Sequence, residues 1–280
     1  MAYMQYLTLN QKPTDTDFAK AGELIEIRGH GSLTLHDRRI LNLLYQNAGS
    51  RICDDIHHTM PISLLRGNHK GGERVSESII RLMTTLVEVP VKGKNNKAAT
   101  LRAAILSETT TSNDEGDPTG EVTYAFSKTM RDIIKDSTYW GRVRGAVMFA
   151  FTSKYSLALY ELICLRINLK KWHDKFSVEE FRSLLGVPEG KLLEFKNLNS
   201  KVIQPALLEV NGMADFGVKI EPIRQGGKVR GNVTGFTVAW WRKDVPELKK
   251  AYEELKRAKV GRIARLAGKV VEAKSLEDVA

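Results

Sequence analysis

The stretch "FKNLNSKVIQPALLEVN", Phe195 to Asn211, sets amide, hydroxyl and ammonium groups at helical spacing. At about 100° per residue, Phe195, Leu198, Val202, Ala206 and Val210 fall on one side. Asn197, Ser200, Lys201 and Gln204 fall on the other, with Lys196 beside them. Asn and Gln form paired hydrogen bonds with adenine, Lys reaches guanine or phosphate, and Ser suits either. The polar face is thus a candidate for reading base edges in a DNA groove while the apolar face anchors the segment. Pro205 sits where a helix interior would be, at a typical cost of about 3 kcal/mol. Two readings stand open: a kinked helix whose N-terminal half enters the groove, or two short helices meeting at Gln204 and Pro205.

A second basic segment follows in "RQGGKVRGN", where Arg224, Lys228 and Arg230 alternate with glycines that let backbone approach a surface closely. It suits phosphate or minor-groove contact; the alternative is a hairpin of solvated charges. Arg74, Ser78 and Arg81, opposite an apolar stripe of Val75, Ile79, Leu82, Met83 and Leu86, offer another reading face in the first half of the chain. Asp114, Glu115 and Asp117 nearby would repel phosphate, so protein contact is the competing role for that half.

Catalytic patterns are missing: there is no HExxH, no GxSxG, no phosphate-binding glycine motif and no carboxylate cluster. His57 and His58 are adjacent rather than spaced as a metal pair, and His30, His36, His69 and His173 read as surface or packing residues. Cys53 and Cys164 stand far apart with no CxxC, which points to packing. No enzyme activity, metal or cofactor is expected.

The elements that must position these residues can be read from periodicity. "SLTLHDRRILNLLYQNAG" predicts a helix capped at Ser32 or Thr34 and ended by Gly49, "PISLLRGN" a short one stopped by Gly67, and "ERVSESIIRLMTTLVEV" a longer one. Strands follow in "VEVPVKG", "TLRAAILSETT" and "EVTYAFS", with "TSNDEGDPTG" as a hairpin loop, then a capped helix in "SKTMRDIIKDS". From about Thr152 the order restarts with the helix "SKYSLALYELICLRI". "FSVEEFRSLLG" follows with a Ser177–Glu180 capping box, then the Phe195 segment, and last the strands "FGVKIEPI" and "VTGFTVAWW". The separations Leu65 to Glu88 and Leu185 to Glu209 differ by one residue, 23 against 24, as a duplicated module would produce. Helix, turn, second helix and hairpin outline a winged helix-turn-helix, whose second helix enters the major groove. The expected fold is α+β: two tandem winged-helix domains, 1–150 and 151–245, and a basic helical tail, 246–280.

Composition agrees. The 280 residues are 42% hydrophobic and 27% charged, as in folded chains, and 43 Lys+Arg against 33 Asp+Glu leave a formal charge of +10, which attracts polyanions. Between Arg242 and Lys274, eleven cations face five acids; this tail reads either as a nucleic-acid arm or as a solvated helix face. No apolar run approaches the roughly 18 residues of a membrane span, and the N-terminus lacks a secretion signal. A cytoplasmic chain with no membrane partner is expected.

In "SKYSLALYELI", "FSVEEFRSLLGV" and "FKNLNSKVIQPALLEVN", the residues Tyr155, Ser156, Leu159, Tyr160, Glu161, Leu184, Leu185, Gly186, Val202, Pro205, Ala206, Glu209 and Asn211 form a pattern. It resembles that of the iteron-binding replication initiators of bacterial plasmids, of the RepA and RepE type. The resemblance covers Thr152 to Trp241 well and the first half more loosely. It implies an N-terminal winged-helix domain for dimerisation and some DNA backbone contact, and a C-terminal one reading direct repeats at the origin. It further implies double-stranded DNA, origin repeats and operator, as the ligand, host initiator and replicative helicase as partners, a homodimer that represses its own gene, and Pro205 as part of the pattern. A winged-helix repressor without initiator activity is the alternative.

Overall fold

The computed structural model describes residues 17–66, 75–93, 95, 97–111, 120–227 and 231–269. The first half runs β1 (Asp17–Ala21), α1 (Gly22–Ile25), α2 (Leu35–Ala48), β2 (His58–Pro61), α3 (Ile62–Arg66), α4 (Val75–Thr84), β3 (Leu86–Lys92) and β4 (Ala98–Ala104). It continues with β5 (Leu106–Thr111), β6 (Glu121–Phe126), α5 (Lys128–Asp136), β7 (Trp140–Arg144) and α6 (Gly145–Ala150). The second half runs α7 (Lys154–Arg166), β8 (His173–Ser177), α8 (Val178–Leu184), α9 (Phe195–Leu198), α10 (Gln204–Met213), β9 (Phe216–Arg224) and β10 (Val233–Arg242). Two further helices, α11 (Val245–Lys256) and α12 (Arg262–Leu266), close it.

Local chemistry accounts for most boundaries. Thr34 caps α2 in a reciprocal box with Asp37, and Gly49, at φ +53°, ends it. Ser127 caps α5 through the Met130 amide. Ser177 accepts from the Glu180 amide as expected, but the other half of that box is not made: the Glu180 carboxylate turns to Arg28 of the first half, at 3.2 Å. A tertiary charge thus outcompetes a local amide. Helix α7 is buried from Ser156 to Arg166 on every side, so it forms the centre of the molecule rather than an amphipathic rim.

Both halves build a three-stranded antiparallel sheet with the same connectivity, β2-β6-β5 and β8-β10-β9. In each, the strand after the long helix, α2 or α7, pairs with the last strand of the wing, β6 or β10. Periodicity missed β2 and β8, which are four and five residues long. This is a tandem winged helix related by pseudo-repeat. The first module adds two antiparallel pairs, β1-β7 and β3-β4.

Several expectations are corrected. "TLRAAILSETT" is not one strand: it breaks at buried Ile105 because β4 pairs with β3 and β5 with β6, in separate sheets. Glu88 lies on β3 while Glu209 lies inside α10, so the spacing match of 23 and 24 aligns unlike elements, although the repeat itself is real. Leu86 belongs to β3, not to the α4 stripe, and is 59% exposed. The tail is not a free arm up to Leu266, since α11 and α12 both pack on α10 and bury Ala251, Glu254 and Arg262. Gly67, Arg74, His69, the Asp114–Asp117 loop, Lys228 and Arg230 lie outside the described residues.

The apolar core is continuous through both modules. Inside it, Lys20 of β1 donates to Asn42 of α2 at 2.9 Å and to Glu161 of α7 at 3.1 Å, while Asn42 donates to Glu161 at 2.6 Å. Burial pushes the Lys20 ammonium below its ordinary pKa, with Glu161 opposing that shift. A buried pair of this kind is poor for stability but strongly directional. It fixes which face of α7 meets the first module.

Candidate nucleic-acid interface

The Phe195 segment is one helix from Phe195 to Met213, and Pro205 does not break it. Between α9 and α10 the residues Asn199–Ile203 form a π-helical turn, with helical dihedrals at Leu198 (−60°, −46°), Ile203 (−67°, −54°) and Gln204 (−63°, −45°). The amide of Gln204 bonds five residues back to the Asn199 carbonyl. The π turn ends next to Pro205, whose ring clashes in an ordinary α-helix with the carbonyl four residues earlier and offers that carbonyl no amide. The reading of two separate helices is thereby overturned: the defect is absorbed as one turn with five-residue closure. Gln204 confirms the changed phase, since its side-chain amide donates to the Asn199 side chain at 3.2 Å, a five-residue pairing.

The apolar side is anchored as the wheel predicts. Leu198, Val202, Ala206 and Val210 are buried, and Phe195 packs on Phe236 with ring centroids 6.1 Å apart. Lys196, Ser200, Lys201 and Gln204 are exposed and Asn197 is half-buried. Asn197 donates to Glu194 at 3.2 Å, so its amide is presented from a tethered position. A groove of about 740 Å³ lined by Ser200, Gln204, Pro205, Asn211, Lys219 and Leu266 runs beside the helix.

Three side chains that sequence reasoning gave no role, or a different one, hold this helix in place. Asn211 bonds both backbone groups of Val218 on β9, donating at 2.9 Å and accepting at 2.7 Å, as a missing strand neighbour would. Arg182 of α8 donates to the Leu192 carbonyl at 2.5 Å and also to that of Lys191, ordering the loop before the helix. Arg224, expected as a wing contact, lies over the Phe195 ring at 5.5 Å and donates to the Gly231 carbonyl at 2.9 Å. It couples the turn end of the wing to the helix start. Polar residues placed against an apolar surface were the available signal; only tertiary proximity says what they bind.

The wing is the antiparallel β9-β10 pair, and Gly226 and Gly227 at its turn adopt φ +63° and +68°. These left-handed values suit glycine. Near the turn Gly235 sits at a bulge, and a Cβ there would lie 2.4 Å from the Phe176 carbonyl oxygen.

Of the second face expected at Arg74, Ser78 and Arg81, the two described residues are engaged within the chain. Ser78 is fully buried. Arg81 grips Asp37 with two hydrogen bonds, at 2.9 and 3.0 Å. Asp37 is itself without solvent exposure at the start of α2 and needs a partner cation. Burial works against its ionisation, yet the bonds from Arg81, the Thr34 amide and Ser78 prevail and hold it below the usual carboxylate range. Arg81 of α4 therefore braces the Asp37 side of the α2 capping box.

Of the histidines, His36 is buried, His173 is exposed, and His58 is buried against Tyr124 at 5.5 Å between ring centroids. Cys164 is buried, Cys53 partly so, and both are free thiols. Among the described residues no helix is long and apolar enough to cross a membrane.

Residues 18–164 match the family model described as Initiator Replication protein, WH1, and residues 177–240 match Initiator Rep protein, WH2. Among solved structures, the crystal structure of Pi initiator protein in complex with iteron DNA is similar at 17% identity and TM-score 0.59, over 84% of this chain and 100% of that one. The RctB domains 2-3 match at 15% identity and TM-score 0.43, over 88% and 98%. No curated protein matches the sequence. With two WH models placed on two modules of repeated connectivity, the chain belongs to the initiator Rep protein family.

Proposed function

We propose that the chain starts plasmid replication by binding tandem origin repeats in double-stranded DNA. In this reading Lys196, Asn197, Ser200, Lys201 and Gln204 enter the major groove, and the wing, with Lys228 and Arg230, follows the backbone. The observation that carries the reading is the two-sided helix of the second module. Its buried side is locked by Phe236 and Asn211, and its opposite side presents amides and ammonium groups of the kinds that read base edges and phosphate. Family membership supports the same role, as does the fold shared with a protein whose solved complex contains iteron DNA. Arg224 acts here by bracing the wing. The domain division is proposed near residue 150, with dimerisation assigned to the first module, whose Leu64, Ile80 and Leu86 are each 59% exposed. Host initiator and helicase recruitment and repression of its own gene complete the proposal.

The test is a supercoiled plasmid carrying the DNA that flanks the gene. Protection of tandem repeats with strand opening beside them is the expected result. Protection of an isolated inverted repeat without opening would convert the reading to a repressor, and a nick in the DNA would overturn it in favour of an enzyme.

A further inference from the structure

The backbone joining the two modules is gripped at every residue from Phe149 to Thr152. Arg39 of α2 donates to the carbonyls of Phe149, at 3.1 Å, and of Phe151. Lys259, between α11 and α12, donates to the same Phe149 carbonyl at 3.1 Å, and Arg262 donates to that of Ala150 at 3.2 Å. Glu209 of α10 accepts from the Thr152 amide at 2.9 Å and its hydroxyl at 2.6 Å. The first module, the DNA-facing helix and the C-terminal segment thus converge on four consecutive residues.

The C-terminal segment is built to hold that position. Arg262 is 2% exposed, and besides Ala150 it bonds the Glu254 carboxylate at 3.1 Å and the carbonyls of Glu254 and Arg257 at 3.0 Å each. Arg265 adds two bonds to the same carboxylate, at 3.1 and 2.7 Å. A planar guanidinium can satisfy several carbonyls at once in a fixed fork, which lysine cannot. Further along, Tyr252 accepts from Arg144 at the end of β7, at 3.1 Å, and lies under its guanidinium at 5.2 Å. The segment also packs on α10 and α6. It lies wholly beyond the residues matched by the WH2 model.

We infer that residues 245–266 form a clamp on the inter-module connector, with Arg262 as its pin, which sets the orientation of the second module's DNA-facing helix relative to the first module. Arg262 and Lys259 are positioning residues that act through Phe149–Thr152, and Tyr252 is one that acts through Arg144 at the end of β7; none of the three is a contact to DNA. The cations of this segment that sequence reading offered to nucleic acid are in part spent on carbonyls of the chain itself. The consequence for affinity rests on the proposed DNA binding; the orientation does not. A tethered second module loses effective concentration when its connector is freed.

The experiment uses the full chain in a Cys53→Ser background, spin-labelled at Lys135→Cys on α5 and Glu179→Cys on α8, both exposed. The parent should give one narrow distance, and Arg262→Met should broaden it, with Arg262→Lys in between. If Arg262→Met fails to fold, the pair Lys259→Ala and Tyr252→Phe removes one contact to the connector and one to β7 just before it, and leaves Arg262–Glu254 intact; it too should broaden the distribution. An unchanged distribution in a folded variant would overturn the clamp. In parallel, a duplex selected by the wild-type chain from a random pool should be bound about tenfold more weakly by Arg262→Met, with loss of protection at the end of the footprint touched by the first module. Uniform weakening along the footprint would instead make the segment a DNA contact and refute the inference. If wild type selects no duplex, the DNA reading fails, while the distance measurement still decides the clamp.

Discussion

Replacing Lys201 with Ala isolates one cation on the helix proposed to face DNA. The residue is exposed on the π turn, and no hydrogen bond or ion pair to a described residue holds its ammonium; its backbone stays helical with Ala, a better helix former. The fold should therefore be unaffected, and the loss should be purely one of charge at the DNA. One phosphate contact contributes a slope of about 0.9 in log affinity against log salt. That corresponds to about 8-fold in affinity at about 0.1 M salt and about 2-fold at about 0.4 M, taking 1 M as reference. Fluorescence anisotropy on a fixed duplex across that salt range reads both quantities. Lys135→Ala, at an exposed position of α5, serves as the control and should leave the line unmoved. A parallel line displaced equally at all salt concentrations would show that Lys201 acts through base contact or shape, and an unmoved line would remove it from the interface.

Two further outcomes follow from the same geometry. Pro205→Ala restores an amide donor, so the five-residue turn can tighten to an ordinary α turn; folding stability in urea should rise, by up to about 3 kcal/mol, while DNA affinity falls because Gln204 rotates relative to Asn197. Unchanged affinity would mean the π turn has no part in recognition. Asp37 titrates below its unfolded value in the folded chain, so its contribution is complete above an unfolded carboxylate pKa of about 3.9 and is lost as pH falls through the lower, folded value. Asp37→Asn should be less stable than wild type at neutral pH and converge with it in acid melts; a constant difference down to the acid limit would contradict the assignment.

How much was legible in the chain differs between elements for physical reasons. Helices α2, α5 and α8 announced themselves through caps, which are local: a Ser or Thr hydroxyl meets an amide three residues on regardless of what packs nearby. The wing strands β9 and β10 were visible through alternation and a glycine turn. Strands β2 and β8 were not, because so short a segment has too little alternation to register and exists by pairing with the wing's last strand. Ser78 and Arg81 were misplaced because a helical wheel shows which residues share a side, not what faces it.

The Phe195–Met213 helix divides the same way. Which residues are apolar and which can hydrogen-bond was determined by the sequence alone, since helical periodicity sorts them before any fold exists. How proline is accommodated, which arginines brace the helix, and whether the C-terminal cations reach outward or inward was decided only by tertiary structure. Those outcomes depend on where carbonyls and carboxylates distant in the chain come to rest, as Ala150 does beside Arg262 and Asp37 beside Arg81. A charge in a sequence has a sign but no partner until packing supplies one.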